Sequence, residues 1–311
     1  MSLAEDQPLG TTLLTGASGF LGTWIEKHLR ERGTTVVRAP KASAAYSGSN
    51  GTGRAQFLGE LASLLKETRP TCVVHAAGSA SVPKSFADPE CDFFGNVVLS
   101  QDLVNAVADD APEAKLLLIS SAAVYGQPET LPVGELCSLS PLSPYGLNKQ
   151  LAETIVQNAA RARGLRTAIV RVFSAYGDGL RKQVVWDIME KAHRGPVIRL
   201  QGTGSESRDF IHASDVARAV EAVVTNGQMQ GEAYNVASGE ETTIATLAGL
   251  LVRELPSPID VQFDGKIPSG TPCRWQADIG LVRSLGFRPA VPLEEGVKQF
   301  VRWYRSAAVH V

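Results

Sequence analysis

The chain has 311 residues, 44% hydrophobic and 20% charged, with 30 basic against 32 acidic side chains and a formal net charge of −2. This ordinary globular composition suits one or two domains, and the even charge balance leaves no basic footprint for nucleic acid and no polybasic patch for a membrane. No run reaches the ~18 apolar residues of a membrane span. The opening MSLAEDQPLG is polar and acidic, unlike a signal peptide. Cys72, Cys91, Cys137 and Cys273 are widely spaced and read as small buried hydrophobes in a reducing compartment, so the expected location is cytoplasmic. His28, His75, His193, His212 and His310 show no ligand spacing, and no metal is expected.

Up to residue 171 short apolar runs alternate with longer amphipathic stretches. Strands are predicted at Thr12–Thr15, Thr35–Ala39, Cys72–His75, Leu116–Ser120 and Thr167–Arg171, and helices at Leu21–Arg32, Leu58–Glu67, Asn96–Asp109 and Tyr145–Arg163. Near-continuous hydrophobic strands separated by helices imply a parallel sheet covered on both faces, hence an α/β fold with a Rossmann-like doubly wound sheet. Lys41–Arg54, rich in Gly, Ser and Ala, is predicted as a flexible surface loop. Beyond residue 172 the pattern loosens. A helix is predicted at Gln183–Arg194, then short strands, a helix at Ser214–Thr225, Pro-rich turns at 256–258 and 268–272, and a last helix at Leu293–Arg305. The expected organisation is a dinucleotide-binding domain over 1–171 and a smaller α+β substrate lobe over 172–311, some of whose segments return to the main sheet.

Residues 15–22 read TGASGFLG, placing Gly16, Gly19 and Gly22 at G-x-x-G-x-x-G spacing between the first strand and first helix. Glycines there allow a tight turn, close approach of a pyrophosphate and close helix–strand packing, while the helix N-terminus offers free N–H groups. A tight connector turn would carry the same residues. Tyr145 and Lys149, four apart at the start of a predicted helix, share a face. A cation beside a phenol favours the phenolate and makes tyrosine usable as an acid or base, although such a pair also suits a solvated face. Ser121 stands at the carboxyl end of a predicted central strand, where ligands of parallel sheets bind, and either hydrogen-bonds a substrate oxygen or merely ends the strand.

The chain resembles the extended short-chain dehydrogenase/reductase family, in its nucleotide-sugar epimerase/dehydratase branch. The motifs TGASGFLG, HAAG (75–78), SSAAVYG (120–126), YGLNK (145–149), RVFSAYG (171–177), GTGSESRDFIHASDVA (202–217) and CRWQAD (273–278) follow in the family's order. The resemblance implies a catalytic set of Ser121, Tyr145 and Lys149, with Ser121 also meeting substrate and Tyr145 and Lys149 also meeting cofactor. It implies a cofactor cradle of Gly16, Gly19, Phe20, Leu21 and Gly22, flanked by Ala76, Ala77, Gly78 and Asn96. Substrate contacts fall to Ser174, Arg208 and Arg274, the two arginines gripping a diphosphate through their forked guanidinium groups.

Two departures from the family pattern bear on specificity. Many relatives carry an aspartate just after the second strand for the adenosine ribose; here VVRAPK puts Pro40 near that place, with Arg38 and Lys41 beside it. A base without an acid leans towards the 2′-phosphate of NADP over NAD. Ser174 stands where relatives often have asparagine. The dehydratase branch follows its catalytic Ser or Thr with an acid, whereas Ser121 is followed by Ala122 and Ala123, which carry no transferable proton. The expected activity is therefore that of a nucleotide-sugar 4-epimerase working through a transient keto intermediate. An NADPH-dependent 4-keto reductase and a catalytically silent cofactor sensor are the alternatives. Apolar residues on more than one face of two helices (Val97, Val98, Leu103, Val104; Leu147, Leu151, Ile155, Val156) predict a homodimer, as in relatives whose helices pair into a four-helix bundle.

Overall fold

The computed structural model describes residues 8–42, 45–46, 52–266, 270 and 272–308. Six strands form one sheet: β1 (Thr11–Thr15), β2 (Thr35–Arg38), β3 (Cys72–His75), β4 (Lys115–Ser121), β5 (Thr167–Val172) and, from late in the chain, β9 (Gln230–Val236). Their order is β2-β1-β3-β4-β5-β9 and every pairing is parallel. Successive side chains of a strand point to opposite faces, and the apolar runs feed two cores accordingly. Leu14, Val74, Leu117, Ile119 and Val170 pack on one face; Leu13, Val73, Leu116, Leu118 and Ile169 pack on the other.

The first face is covered by α1 (Phe20–Glu31) and α8 (Ala213–Asn226), the second by α2 (Thr52–Thr68), α5 (Leu99–Asp110) and α6 (Pro144–Arg163). Between β3 and α5 lie α3 (Val82–Ala87), α4 (Pro89–Phe93) and a π-helical turn over Phe94–Val98. A third core gathers Tyr176, Ile188, Phe210, Leu247, Leu251 and Phe300. It lies among α7 (Gln183–Arg194), α9 (Ile244–Arg253), α11 (Leu293–Ala308) and two small sheets, β10-β8-β6 (Glu241–Thr243, Ser207–His212, Ser174–Tyr176) and β11-β7 (Asp260–Phe263, Val197–Leu200). The short α10 (Gly280–Ser284) precedes α11.

The main sheet thus follows the expected strands to within a residue or two, and β9 is the late segment that rejoins it. Three expectations need correction. Helix α2 begins at Thr52, not Leu58, so Arg54 is helical. Within the expected loop, Ala45 and Tyr46 are buried, and the Tyr46 hydroxyl donates to Asp102 at 2.6 Å; the apolar Ala45 and the aromatic Tyr46 outweigh the polar residues around them. Residues 43–44 and 47–51 of that loop, and 268, 269 and 271 of the expected Pro-rich turn, lie outside the described residues. Third, the helix expected from Asn96 is preceded by α4 and the π turn, which place Asn96 in the middle of a helical run rather than at its start.

Candidate active site

The glycine turn is built for close approach. Gly16 has φ +69°, and a Cβ there would sit 2.6 Å from the Ala76 carbonyl carbon and the Ala77 nitrogen. A Cβ on Gly22 would lie 2.0 Å from the Gly16 oxygen. Helix α1 therefore starts hard against β1 and β3. Gly19 is its N-cap and supplies no side-chain cap, so the first-turn amides of Phe20, Leu21 and Gly22 remain open to an anion. On the far wall, Gly78 has φ +145° and faces the Asn96 side chain, where a Cβ would meet Oδ1 at 2.6 Å. Asn96 Oδ1 is buried without a hydrogen-bond partner, as expected of an atom waiting for a donor from a ligand. These features fit a bound dinucleotide.

A buried histidine ties the two walls together. Ser100 Oγ donates to the Asn96 carbonyl oxygen at 2.5 Å, so it accepts from His75 Nε2–H at 3.0 Å. His75 Nδ1 then accepts from Thr15 Oγ1 at 2.8 Å, which in turn accepts the Ala77 N–H at 3.1 Å. Burial, seconded by the charge of Lys149, pushes the imidazole down to about 3 and holds it neutral.

Ser121, Tyr145 and Lys149 meet at the carboxyl end of β4. Ser143 caps α6 by accepting the Gly146 N–H at 3.1 Å, and Pro144 occupies the first turn, so the helix starts just before Tyr145. The turn after Ser121 lies against this helix so closely that a Cβ on Gly146 would stand 2.6 Å from the Ala123 oxygen. Lys149 Nζ donates to the Ile119 oxygen of β4 at 3.0 Å, two residues before Ser121. Both α6 side chains are buried. Burial pushes the Tyr145 phenol up to about 12, opposed by the Ser121 hydroxyl and reinforced by the charge of Asp92. Burial lowers Lys149 to about 8, while Asp92 and Glu153 pull the other way. Ala122 is fully buried and Ala123 half-buried, so methyl groups flank Ser121.

The expected cofactor-selecting bases stand differently from each other. Arg38 is already held by Glu26, with Nε at 2.9 and 3.0 Å from its two oxygens, and Arg30 shares the same carboxylate. Lys41 is exposed with no partner among the described residues. In the C-terminal part, Ser174 opens β6 and Arg208 lies on β8 with its guanidinium 5.5 Å over the Trp275 ring. Arg274 forks onto Glu241 at 2.7 Å through both Nε and Nη2. The two arginine segments adjoin, since Ser207 N–H donates to the Cys273 oxygen. Trp275 Nε1 reaches the Gly126 oxygen at 3.2 Å and so joins them to the loop after Ser121.

Of the helix faces expected at a dimer contact, Val97, Leu103, Val104 and Val156 are consumed by this subunit's own core. Leu147 and Leu151 stay 49% and 38% exposed. Sequence reasoning missed Asp92, Asn148 and the buried Arg171–Glu153 pair. Single polar residues within helices, or within an apolar strand as Arg171 is in β5, carry no periodic signal. Among the described residues no cluster of three His, Cys, Asp or Glu stands where it could hold a metal, and no helix is long and apolar enough to cross a membrane.

The family model of the NAD-dependent epimerase/dehydratase family matches residues 12–237. The UDP-glucose 4-epimerase of Mycolicibacterium smegmatis is 28% identical over 313 residues, covering 95% of this chain and 98% of that one. Among solved structures, the Thermus thermophilus UDP-glucose 4-epimerase in complex with NAD superposes with a TM-score of 0.83 at 26% identity, over 96% of this chain and 99% of that one. The UDP-glucose 4-epimerase of Thermotoga maritima with UDP-glucose gives the same TM-score, 0.83, at 25% identity and the same coverage, 96% and 99%.

Proposed function

Because this chain belongs to the NAD-dependent epimerase/dehydratase family, we propose that it is a nucleotide-sugar 4-epimerase acting on a UDP-hexose with NAD or NADP as cofactor. The observation that carries this reading is the buried meeting of Ser121, Tyr145 and Lys149 at the end of β4, with Ala122 and Ala123 in place of any acid. Elimination of water from the sugar needs a proton donor beside the catalytic hydroxyl, and two methyl groups supply none. The UDP-sugar relatives support the choice of substrate.

In the mechanism, the nicotinamide when bound supplies an acceptor and then a donor for the hydrogen at C4. Tyr145 takes the proton of the C4 hydroxyl and later returns it to the keto oxygen, the neutral phenol being the form that donates. Lys149 supports the phenolate by its charge. One of its N–H bonds is used on Ile119, leaving two for the cofactor's ribose hydroxyls. Ser121 holds the reacting sugar oxygen. Phe20, Leu21 and Gly22 would receive the pyrophosphate on their amides, with Gly16 and Gly19 making room, and Ala76, Ala77, Gly78 and Asn96 would line the nicotinamide side. Arg208 and Arg274 would grip the diphosphate, Arg274 exchanging Glu241 for phosphate, and Ser174 would border the sugar.

Selection of NADP over NAD would draw on Lys41 and on the Arg38 N–H groups that Glu26 does not use, since only Nε and Nη2 meet that carboxylate. The lobe over 172–311 would carry the sugar nucleotide, with α8 and β9 serving the cofactor domain. A homodimer through the Leu147 and Leu151 face of α6 is proposed. A cytoplasmic location fits the four free cysteines, although only Cys72 is the buried hydrophobe expected; Cys91 and Cys137 are half-buried and Cys273 is exposed. Incubation with UDP-glucose should give UDP-galactose without added reductant. No inversion at C4 of any UDP-hexose, or turnover only with consumption of NADPH, would overturn the assignment.

A further inference from the structure

Asp92 is 2% exposed, on a short helix packed against the first turn of α6. Its Oδ2 accepts from Asn148 Nδ2 at 2.8 Å, and its backbone oxygen accepts from Asn96 Nδ2 at 3.1 Å. Its Oδ1 is buried without a hydrogen-bond partner. Asn148 directly precedes Lys149 on α6, so one hydrogen bond couples the carboxylate to the turn that carries both Tyr145 and Lys149. Among the described residues no cation forms an ion pair with Asp92. A carboxylate in such a place is costly unless a charge nearby compensates for lost solvation.

The other charged groups around Lys149 do not fill that part. On α6 itself, Glu153 is held by Arg171 of β5 at 2.8 Å and receives the Ser120 hydroxyl, so its charge is already met. His75, at the end of β3, is held neutral. From β4 come only the Ile119 carbonyl and the neutral Ser121 hydroxyl. Tyr145 is the remaining titratable neighbour on α6. Asp92, facing in from α4, is the one carboxylate acting on Lys149 whose hydrogen-bond partner is neutral.

We propose that Asp92 is a positioning residue of this site: it anchors the first turn of α6 through Asn148 and supplies the counter-charge that keeps the buried Lys149 an ammonium. The proposal rests on the reading of Lys149 and Tyr145 as catalytic. Its consequence is that Asp92 places the pH window of the reaction. The direction follows from charge alone. Removing a negative charge makes Lys149, at about 8 in the intact chain, lose its proton at lower pH, and it lowers Tyr145 as well. Both limbs of the rate profile therefore move towards acid.

The test compares kcat against pH for wild type, Asp92→Asn and Asp92→Glu, with UDP-glucose as substrate. An asparagine oxygen still accepts from Asn148, so the substitution removes the charge and keeps the hydrogen bond. Asp92→Asn should shift the profile down by about one pH unit, with kcat falling about tenfold on the alkaline side; Asp92→Glu should stay near the wild-type profile. Superimposable profiles for wild type and Asp92→Asn would overturn the proposal. Asp92→Ser, also neutral and smaller, replaces the asparagine variant if that one does not fold. If neither neutral variant folds, the side chain is structural and the proposal fails. Lys149→Met separates the two levels: wild-type turnover in that variant removes the catalytic reading itself, whereas its loss of turnover beside an unshifted Asp92→Asn profile removes only the role of Asp92.

Discussion

Gly22→Ala sets two physical effects against each other at one atom. Gly22 lies in the first turn of α1, where helix propensity alone favours alanine by about 1 kcal/mol. The added methyl, however, would stand 2.0 Å from the Gly16 oxygen, 2.7 Å from the Gly16 carbonyl carbon and 2.9 Å from the Ala17 Cα. All three are backbone atoms, so no rotamer change relieves the clash, and the helix must move off the strand. Overpacking of this kind costs roughly 1–3 kcal/mol, which cancels or exceeds the propensity gain. The same movement carries the open amides of α1 away from a bound pyrophosphate. Loss of one such anion contact corresponds to roughly a tenfold rise in Kd, or about 1.4 kcal/mol. Gly59→Ala is the control: this glycine is also helical, but nothing lies within 4 Å of its Cβ position. The control should raise Tm by about 1–3 °C and leave NAD affinity unchanged. Thermal unfolding and fluorescence titration of NAD would read both. If Gly22→Ala matched Gly59→Ala in stability and kept full affinity, the close-packed cradle would be wrong.

Arg38→Ala combined with Lys41→Ala should weaken NADP more than NAD in the same titration, and equal losses would show that neither base selects the 2′-phosphate. The folded chain keeps His75 neutral to about 3, whereas an unfolded imidazole takes up a proton below about 6.5. Stability from this residue is therefore full above that range and lost as the pH falls, at about 1.4 kcal/mol per unit until pH 3 is reached. Urea unfolding of His75→Gln between pH 7 and 4 should show a shallower loss than wild type; identical slopes would refute the buried-neutral assignment. Light scattering at micromolar concentration should return the mass of a dimer, and Leu147→Glu with Leu151→Glu should return a monomer. A wild-type monomer would leave the exposed face of α6 without its proposed partner.

Five strands of the main sheet were legible because they are short apolar runs, and the first four are each separated from the next strand by helix; β9 (QGEAYNV) mixes polar and apolar residues and was not located. The glycine turn was legible from the spacing of Gly16, Gly19 and Gly22, and Gly16 and Gly22 answer to steric demands that other residues fail. Tyr145 and Lys149 could be paired from helical spacing alone, and the structure adds the anchoring of Lys149 on Ile119. Less legible were contacts set by tertiary pairing between distant segments. Tyr46 looked like part of a loop because its neighbours are glycine and serine, yet it is buried against Phe57 and Asp102. Arg38 looked free because Glu26 is twelve residues upstream, and only the packing of α1 beside β2 brings them together. Arg274 likewise carried no sign that Glu241 holds it. Asp92 was invisible for the same reason: its meaning comes from Asn148, 56 residues away.

The proposed role of Tyr145 is to move the proton at C4 of a UDP-hexose. It is tested most directly by Tyr145→Phe, which removes one hydroxyl from a site whose ring packing is retained. Interconversion of UDP-glucose and UDP-galactose, followed by NMR alongside calorimetric titration of cofactor and UDP-glucose, separates chemistry from binding. The expected result is a fall in kcat of roughly 10²–10⁴-fold, with both affinities within a few-fold of wild type. Turnover near the wild-type rate in this variant would contradict the account.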